Sequence, residues 1–194
     1  VSYLPPTEID RRPTSVGCGM PNEEVYLVGE DGRIITEPGV IGELVVRGAN
    51  VMQGYWELPE ETAKMLRSGK FPWEKSLYTG DLFRMDDEGF LYFVSRRDDI
   101  IKSRGEKVSP KEVEAALYAH DDVVEAAVIG VPDEILGESV KAFVVLKEGS
   151  AATAQDMLAH CKERLEDFMV PQAVEIRDSL PKTSSGKITK KELH

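Results

Sequence analysis

The sequence predicts an α+β chain in two blocks, a mostly β first half and a smaller second half that mixes helices with strands. Three observations carry this. Residues 25–94 alternate short β-prone runs with Gly- and Asp-rich turns. After residue 98 a helix-start signature appears in Ser109-Pro110-Lys111-Glu112: an N-cap serine, a first-turn proline and a glutamate at the capping-box position. Finally, 194 residues of which 41% are apolar suffice for one mid-sized core or two small ones.

In the first block Val25–Val28 reads as a strand ended by Glu30-Asp31-Gly32, Glu43–Arg47 as another, and Phe90–Val94 as a third that follows the turn Asp86-Asp87-Glu88-Gly89. One helix interrupts them. Pro59 suits its first position, and Glu60 and Glu61 place anions at the positive end of its dipole. In the second block the helix that starts at Ser109 carries an apolar stripe of Val113, Ala116 and Leu117. The apolar runs Val123–Val131 and Val140–Leu146 read as strands. A second helix is expected from Thr153 to about Leu165, burying Leu158, Cys161 and Leu165, and a strand over Ala173–Arg177 completes the unit. The change of pattern sets a boundary close to Arg96-Arg97-Asp98-Asp99. No internal repeat or low-complexity tract is present in the sequence.

Acidic side chains outnumber basic ones by 35 to 24, and the net charge of −11 disfavours nucleic acid and anionic lipid as partners. A nucleotide is not excluded, because a few local cations hold a small anion whatever the global charge. No apolar run approaches the ~20 residues that span a bilayer, and no signal peptide is evident. Cys18 and Cys161 match no metal or redox spacing, so buried free thiols, no metal site and a cytoplasmic location are the expectation. The opening loop Leu4-Pro5-Pro6 and the absence of an initial Met suggest a piece of a longer chain.

Three segments carry candidate chemistry. Leu180-Pro181-Lys182-Thr183-Ser184-Ser185-Gly186-Lys187-Ile188 is a polar loop, expected to be mobile, that delivers one lysine. Alone it is an ordinary surface loop, and Pro181 stands where a Walker loop needs Gly. Tyr78-Thr79-Gly80-Asp81-Leu82 reads as the start of a β-hairpin, where a carboxylate after Gly is able to accept from two vicinal hydroxyls such as those of a ribose. Taken singly, it is a turn with an exposed Asp. Residues 95–114 concentrate cations around Gly105 before the capped helix, and a solvated connector explains that run equally well.

In this order and spacing the three segments resemble the adenylate-forming superfamily of acyl-CoA synthetases, peptide-synthetase adenylation domains and luciferases. The resemblance extends through Gly42-Glu43-Leu44-Val45-Val46-Arg47-Gly48, Gly54-Tyr55-Trp56 and Gly130-Val131-Pro132-Asp133, and Val108–Glu114 looks like the acyl-CoA synthetase form of the helix start. It implies that residues 1–96 are the last, β-rich subdomain of a large domain, the remnant of a distorted barrel. Residues 97–99 would then be a hinge, and 100–194 a small domain with a central three-stranded sheet flanked by helices. It also implies an ATP-dependent acid–thiol ligase: a carboxylic acid attacks Mg²⁺-ATP, and the acyl-adenylate passes to coenzyme A, or alternatively to the phosphopantetheine arm of an acyl carrier protein. A noncatalytic binding module is the reading from another class.

By position, Lys187 resembles the catalytic lysine of the first step, Asp81 the ribose aspartate, Arg96 its nucleotide-contacting neighbour, and Asp98 the hinge residue. Gly105 matches the glycine of the coenzyme A tunnel, and Lys102 and Lys107 are candidate phosphate contacts. Ser95 stands where the family commonly has Gly, and Arg104 and Glu106 flank Gly105 where Ser and an aromatic are usual. The family's phosphate loop lies upstream of Val1, so these 194 residues alone are expected to be inactive.

Overall fold

The computed structural model describes every residue except Lys70, Pro72 and His194. The chain divides into two compact units, Val1–Asp98 and Asp99–His194.

In the first unit a short pair, β1 (Ser2–Tyr3) with β2 (Cys18–Gly19), precedes β3 (Glu24–Val28), β4 (Ile34–Ile35) and β5 (Ile41–Arg47). Then come α1 (Pro59–Met65), β6 (Leu66–Ser68), β7 (Lys75–Met85) and β8 (Leu91–Arg96). The last six strands form one antiparallel sheet in the order β4-β3-β5-β7-β6, with β8 also on β7. Among the described residues this sheet is open, not a barrel. The strand β7 is its pivot, pairing with β5 on one side and with β6 and then β8 on the other. Leu27, Leu44, Val46, Phe83 and Leu91 make the core, and the cross-strand partners Phe83 and Phe93 meet edge to face at 5.4 Å. As the sequence indicates, α1 begins at Pro59 with Glu60 and Glu61 in its first turn, but it buries none of its residues.

The segment before β2 is fastened by Arg12, only 6% exposed. Its guanidinium bonds Asp86 at 3.1 Å, Glu88 at 2.5 Å and Glu8, and lies 4.0 Å over the Phe90 ring. Asp86 also accepts from the Glu88 and Phe90 N–H groups, closing the turn before β8. Burial pushes the Asp86 carboxyl up, but the Phe90 N–H, Arg12, the Tyr92 hydroxyl and the Glu88 N–H outweigh it and hold it below its ordinary value.

In the second unit β9 (Ile101–Ser103) and β10 (Glu106–Val108) form a hairpin that leads into α2 (Pro110–Tyr118). The long antiparallel pair β11 (Val123–Asp133) and β12 (Gly137–Leu146) follows, then α3 (Ala154–Lys162) and β13 (Ala173–Ile176), parallel to β12. The sheet has five strands, in the order β10-β9-β12-β11 with β13 on β12, where three were expected. The added pair comes from the cationic segment that reads as a connector. Alternation along β11 and β12 gives the sheet two apolar faces. Ala126, Val128, Val140, Ala142 and Val144 pack under Val113, Leu117, Met157 and Cys161 of the helices. Ala127 and Phe143 on the other face are covered by Leu180, Leu193 and Ile188 of the C-terminal segment.

Ser109 is the N-cap residue of α2, but its side chain makes no cap hydrogen bond. The capping box belongs to α3, between Thr153 and Asp156. That helix ends at Lys162, short of Leu165, and buries Met157 where Leu158 was expected, leaving Leu158 half-buried. Burial raises the Cys161 thiol to about 11, whereas Cys18 is only half-buried.

The folded Asp86 carboxyl is depressed, so its contribution to stability is present above the unfolded value of about 3.9 and is lost as pH falls through the lower folded value. Asp86→Asn is therefore expected to be less stable than wild type at neutral pH, and to lose less stability on acidification, read as denaturation midpoints between about pH 6 and about pH 3.

Candidate functional site

The ladder between β5 and β7 breaks at one place. Val45 faces Tyr78 and Glu43 faces Leu82, so Thr79, Gly80 and Asp81 stand opposite Leu44 alone. Extra residues on one strand leave the ladder and redirect their side chains. Asp81 therefore lies at a bulge in the middle of an eleven-residue strand and, as the partner of Arg96, is also the first paired residue of the β7–β8 hairpin that the sequence indicates. Three bonds hold the bulge. The Thr79 hydroxyl donates to Leu44 O at 2.9 Å, the Asp81 N–H donates to Thr79 Oγ1 at 3.1 Å, and the Gly80 N–H donates to Glu43 Oε1 at 3.1 Å. Gly80 sits at φ 71°, a torsion that glycine adopts without strain.

Arg96, the last residue of β8, is the register partner of Asp81, and its Nε lies 3.2 Å from Asp81 Oδ1. A second irregularity, between Leu82 and Phe83 of β7, brings the end of β8 into that register. Asp98 is exposed in a 3-10 turn over Arg97–Asp99 and is the final residue of the first unit. The structure thus joins Asp81 to Arg96 and puts Asp98 two residues further on.

Lys102, Gly105 and Lys107 belong to the β9–β10 hairpin. Lys102 and Lys107 are direct cross-strand partners and both are exposed, while Ile101, Ser103 and Val108 turn into the unit. Like charges opposite one another cost stability, and they concentrate positive potential on one small patch. The two-residue loop between them has φ 57° at Arg104 and 81° at Gly105, the pair of left-handed torsions of a type I′ turn. The turn accounts for the glycine, since a Cβ there would meet no atom within 4 Å. The loop is fixed by the Arg104 N–H on Leu136 O at 3.0 Å, and the base of the hairpin by Glu138 Oε2, which accepts from the Lys102 N–H at 2.7 Å.

Lys187 is exposed on a third turn, and the loop that carries it is hydrogen-bonded throughout. Lys182 bridges to Ile188, the Thr183 N–H donates to Lys187 O at 2.8 Å, and the Gly186 N–H donates to Thr183 O at 2.9 Å. With Gly186 at φ 80°, this is a three-residue hairpin closed by a left-handed glycine. The Thr183 hydroxyl adds contacts to Ser185 Oγ and to the backbone of Lys187. Leu180 and Leu193 bury the two flanks against Phe143, and Lys182 and Lys190 pair with Glu125 and Glu114.

Sequence reasoning assigned no role to Glu43, Thr79 or Thr183. For Glu43 a signal existed, a carboxylate in the β-prone run Gly42–Val46, all of which is buried. Thr79 bonds Leu44 O across the sheet and Thr183 bonds within its own turn, contacts that composition does not distinguish from solvent exposure.

Residues 112–187 match the AMP-binding enzyme C-terminal domain, and residues 1–56 match the AMP-binding enzyme model. The chain belongs to the AMP-binding enzymes. Within them it is similar to the long-chain-fatty-acid–CoA ligase of Bacillus subtilis (strain 168), at 45% identity over 182 residues, covering 94% of this chain and 31% of the ligase. It is also similar to the feruloyl-CoA synthase of Amycolatopsis sp, at 44% identity, covering 91% and 35%. The solved o-succinylbenzoate CoA synthetase of Bacillus subtilis, in complex with an acyl-adenylate intermediate, matches with a TM-score of 0.86 at 34% identity, covering 97% of this chain and 37% of that one. The chain spans about a third of the length of the curated relatives it matches. Lys187 is the last residue of the C-terminal match, while Asp81, Arg96 and the β9–β10 hairpin lie between the two matched stretches.

Thr79→Val keeps the shape of the side chain and removes both hydroxyl bonds of the bulge. It is expected to cost about 1–2 kcal/mol in the unfolding free energy of the first unit, read by chemical denaturation.

Proposed function

We propose that the protein carrying this chain is an ATP-dependent acyl-CoA ligase. A carboxylate oxygen attacks the α-phosphate of Mg²⁺-ATP and pyrophosphate leaves. The coenzyme A thiol, losing its proton, then attacks the acyl carbon and AMP departs. The observation that carries this reading is the bulge that lifts Asp81 out of the β5–β7 ladder beside Arg96. A carboxylate displaced from the β5 ladder, with one oxygen steered by a guanidinium, is suited to accept from the two hydroxyls of a ribose, and the exposed part of Arg96 would be available to a phosphate.

The other residues take their roles around that pair. Lys187 would bridge the attacking carboxylate and the α-phosphate as charge builds there, and its closed hairpin limits the ordering cost of presenting it. Lys102 and Lys107 would serve as phosphate contacts, a use that offsets their cross-strand repulsion. Gly105 would line the pantetheine tunnel with bare backbone. Asp98 would be the pivot, so that residues 1–96 act as the end of the large domain, 97–99 as the hinge and 100–194 as the small moving domain. Support comes from the division of the chain after Asp98 and from the C-terminal domain match that falls wholly within the second unit.

Relatives of nearly equal identity are named for long-chain fatty acids and for feruloyl groups. What this third of the enzyme shares with them is therefore nucleotide and thiol handling rather than choice of acid. We place the enzyme in the cytoplasm; no helix among the described residues is long and apolar enough to cross a membrane. Product analysis with coenzyme A and with acyl carrier proteins identifies the acceptor.

In the full-length protein, Lys187→Ala is expected to lower acid-dependent ATP–pyrophosphate exchange about 100-fold or more, and to leave thioester formation from presynthesised acyl-adenylate within a few-fold of wild type. Undiminished exchange would remove Lys187 from the first step.

A further inference from the structure

Glu43 is a carboxylate inside a sheet, with a side chain only 11% exposed. A buried charge costs several kcal/mol unless each oxygen finds a donor. Both do. Oε1 accepts the Gly80 N–H at 3.1 Å, and Oε2 accepts Arg97 Nη1 at 2.8 Å. Neither donor is an ordinary ladder partner. Gly80 is the residue before Asp81, at the crest of the bulge, and Arg97 follows Arg96 directly.

We infer that Glu43 is a positioning residue for the nucleotide site: by holding the Gly80 N–H it sets where the Asp81 carboxylate stands. The inference rests on the reading of Asp81 and Arg96 as nucleotide contacts. The geometry behind it is specific. With Thr79, Gly80 and Asp81 set against Leu44 alone, the β5–β7 ladder does not dictate where the bulge sits, and the β7–β8 ladder holds only its far end, through Asp81 and Arg96. Thr79 ties its near side to Leu44 O. Its crest is tied by Glu43, whose backbone is itself fixed in register opposite Leu82 and Val28. The length of the glutamate side chain therefore measures out the height of the bulge. The Arg97 guanidinium is 56% exposed and free to turn to water, so charge pairing is the lesser of the two contacts for this purpose.

The inference separates two conservative variants of the full-length enzyme, both of which keep a polar side chain at the site. Glu43→Asp retains the charge but is one methylene too short to reach the Gly80 N–H from the same backbone. Glu43→Gln retains the length and an oxygen to accept that N–H, and releases Arg97. The expected result in ATP–pyrophosphate exchange is a KM for ATP raised about tenfold in Glu43→Asp with kcat within about twofold, while Glu43→Gln stays within about twofold of wild type in both. A KM for ATP in Glu43→Asp equal to that of wild type, or one raised as much in Glu43→Gln as in Glu43→Asp, would overturn the inference. So would a lowered unfolding midpoint in both variants with KM unmoved, the mark of a purely structural carboxylate. Asp81→Ala, assayed alongside, keeps the two readings apart: if it leaves the KM for ATP unchanged, the nucleotide assignment falls, whatever Glu43 does.

Discussion

The first unit depends on a mismatch in one ladder. Had β5 and β7 paired without interruption, Asp81 would be one more residue of an antiparallel sheet, its side chain committed to a face by the two-residue period of the strand. Placing three residues opposite Leu44 frees it from β5 while it stays paired with Arg96 of β8, and the bonds of Thr79 to Leu44, of Gly80 to Glu43 and of Asp81 to Thr79 replace what the β5 ladder gave up. Phe83 and Phe93, the aromatic pair immediately beyond, anchor β7 to β8 below the irregularity, so the disturbance stays local.

The second unit meets a different problem, that of holding cationic turns steady on a small domain. Its sheet is apolar on both faces, and the two covers differ in kind. Helices α2 and α3 shield one face with a broad core that includes Val113, Leu117, Met157 and Cys161. The other is closed by a strap, Leu180 to Leu193, that packs on Phe143 and carries the Lys187 hairpin between its two buried ends. The aromatic ring at the centre is itself flanked by the cations of Lys141 and Arg177, which lie 4.7 and 4.4 Å from its centroid. Such a support holds the backbone of Lys187 in its hairpin and leaves the side chain exposed.

Much of this was legible in the sequence, and the rest was hidden for identifiable reasons. Long apolar runs announced β11 and β12, and Pro59, Pro110 and Thr153 marked helix starts within a residue of their place. The β9–β10 hairpin escaped because its exposed face is lysine and its turn is Arg-Gly rather than the usual Asn-Gly. Tyr78–Leu82 read as the start of a hairpin, which it forms with β8; the bulge stayed hidden because only pairing with β5, 35 and more residues away, creates it. The capping box at Ser109 failed although its spacing was right, and the one at Thr153 formed with Asp156, a shorter acid than the usual pattern names. The residues singled out for chemistry came from family resemblance, and what the fold adds is their support: Glu43, Thr79 and Thr183.

The most direct measurement is calorimetric titration of the full-length protein and its Asp81→Ala variant with AMP and with 2′,3′-dideoxy-AMP. If the bulge presents Asp81 to the ribose hydroxyls, wild type prefers AMP by about 100-fold and the variant binds both nucleotides with similar, weaker affinity. A variant that still prefers AMP as strongly as wild type would contradict the account.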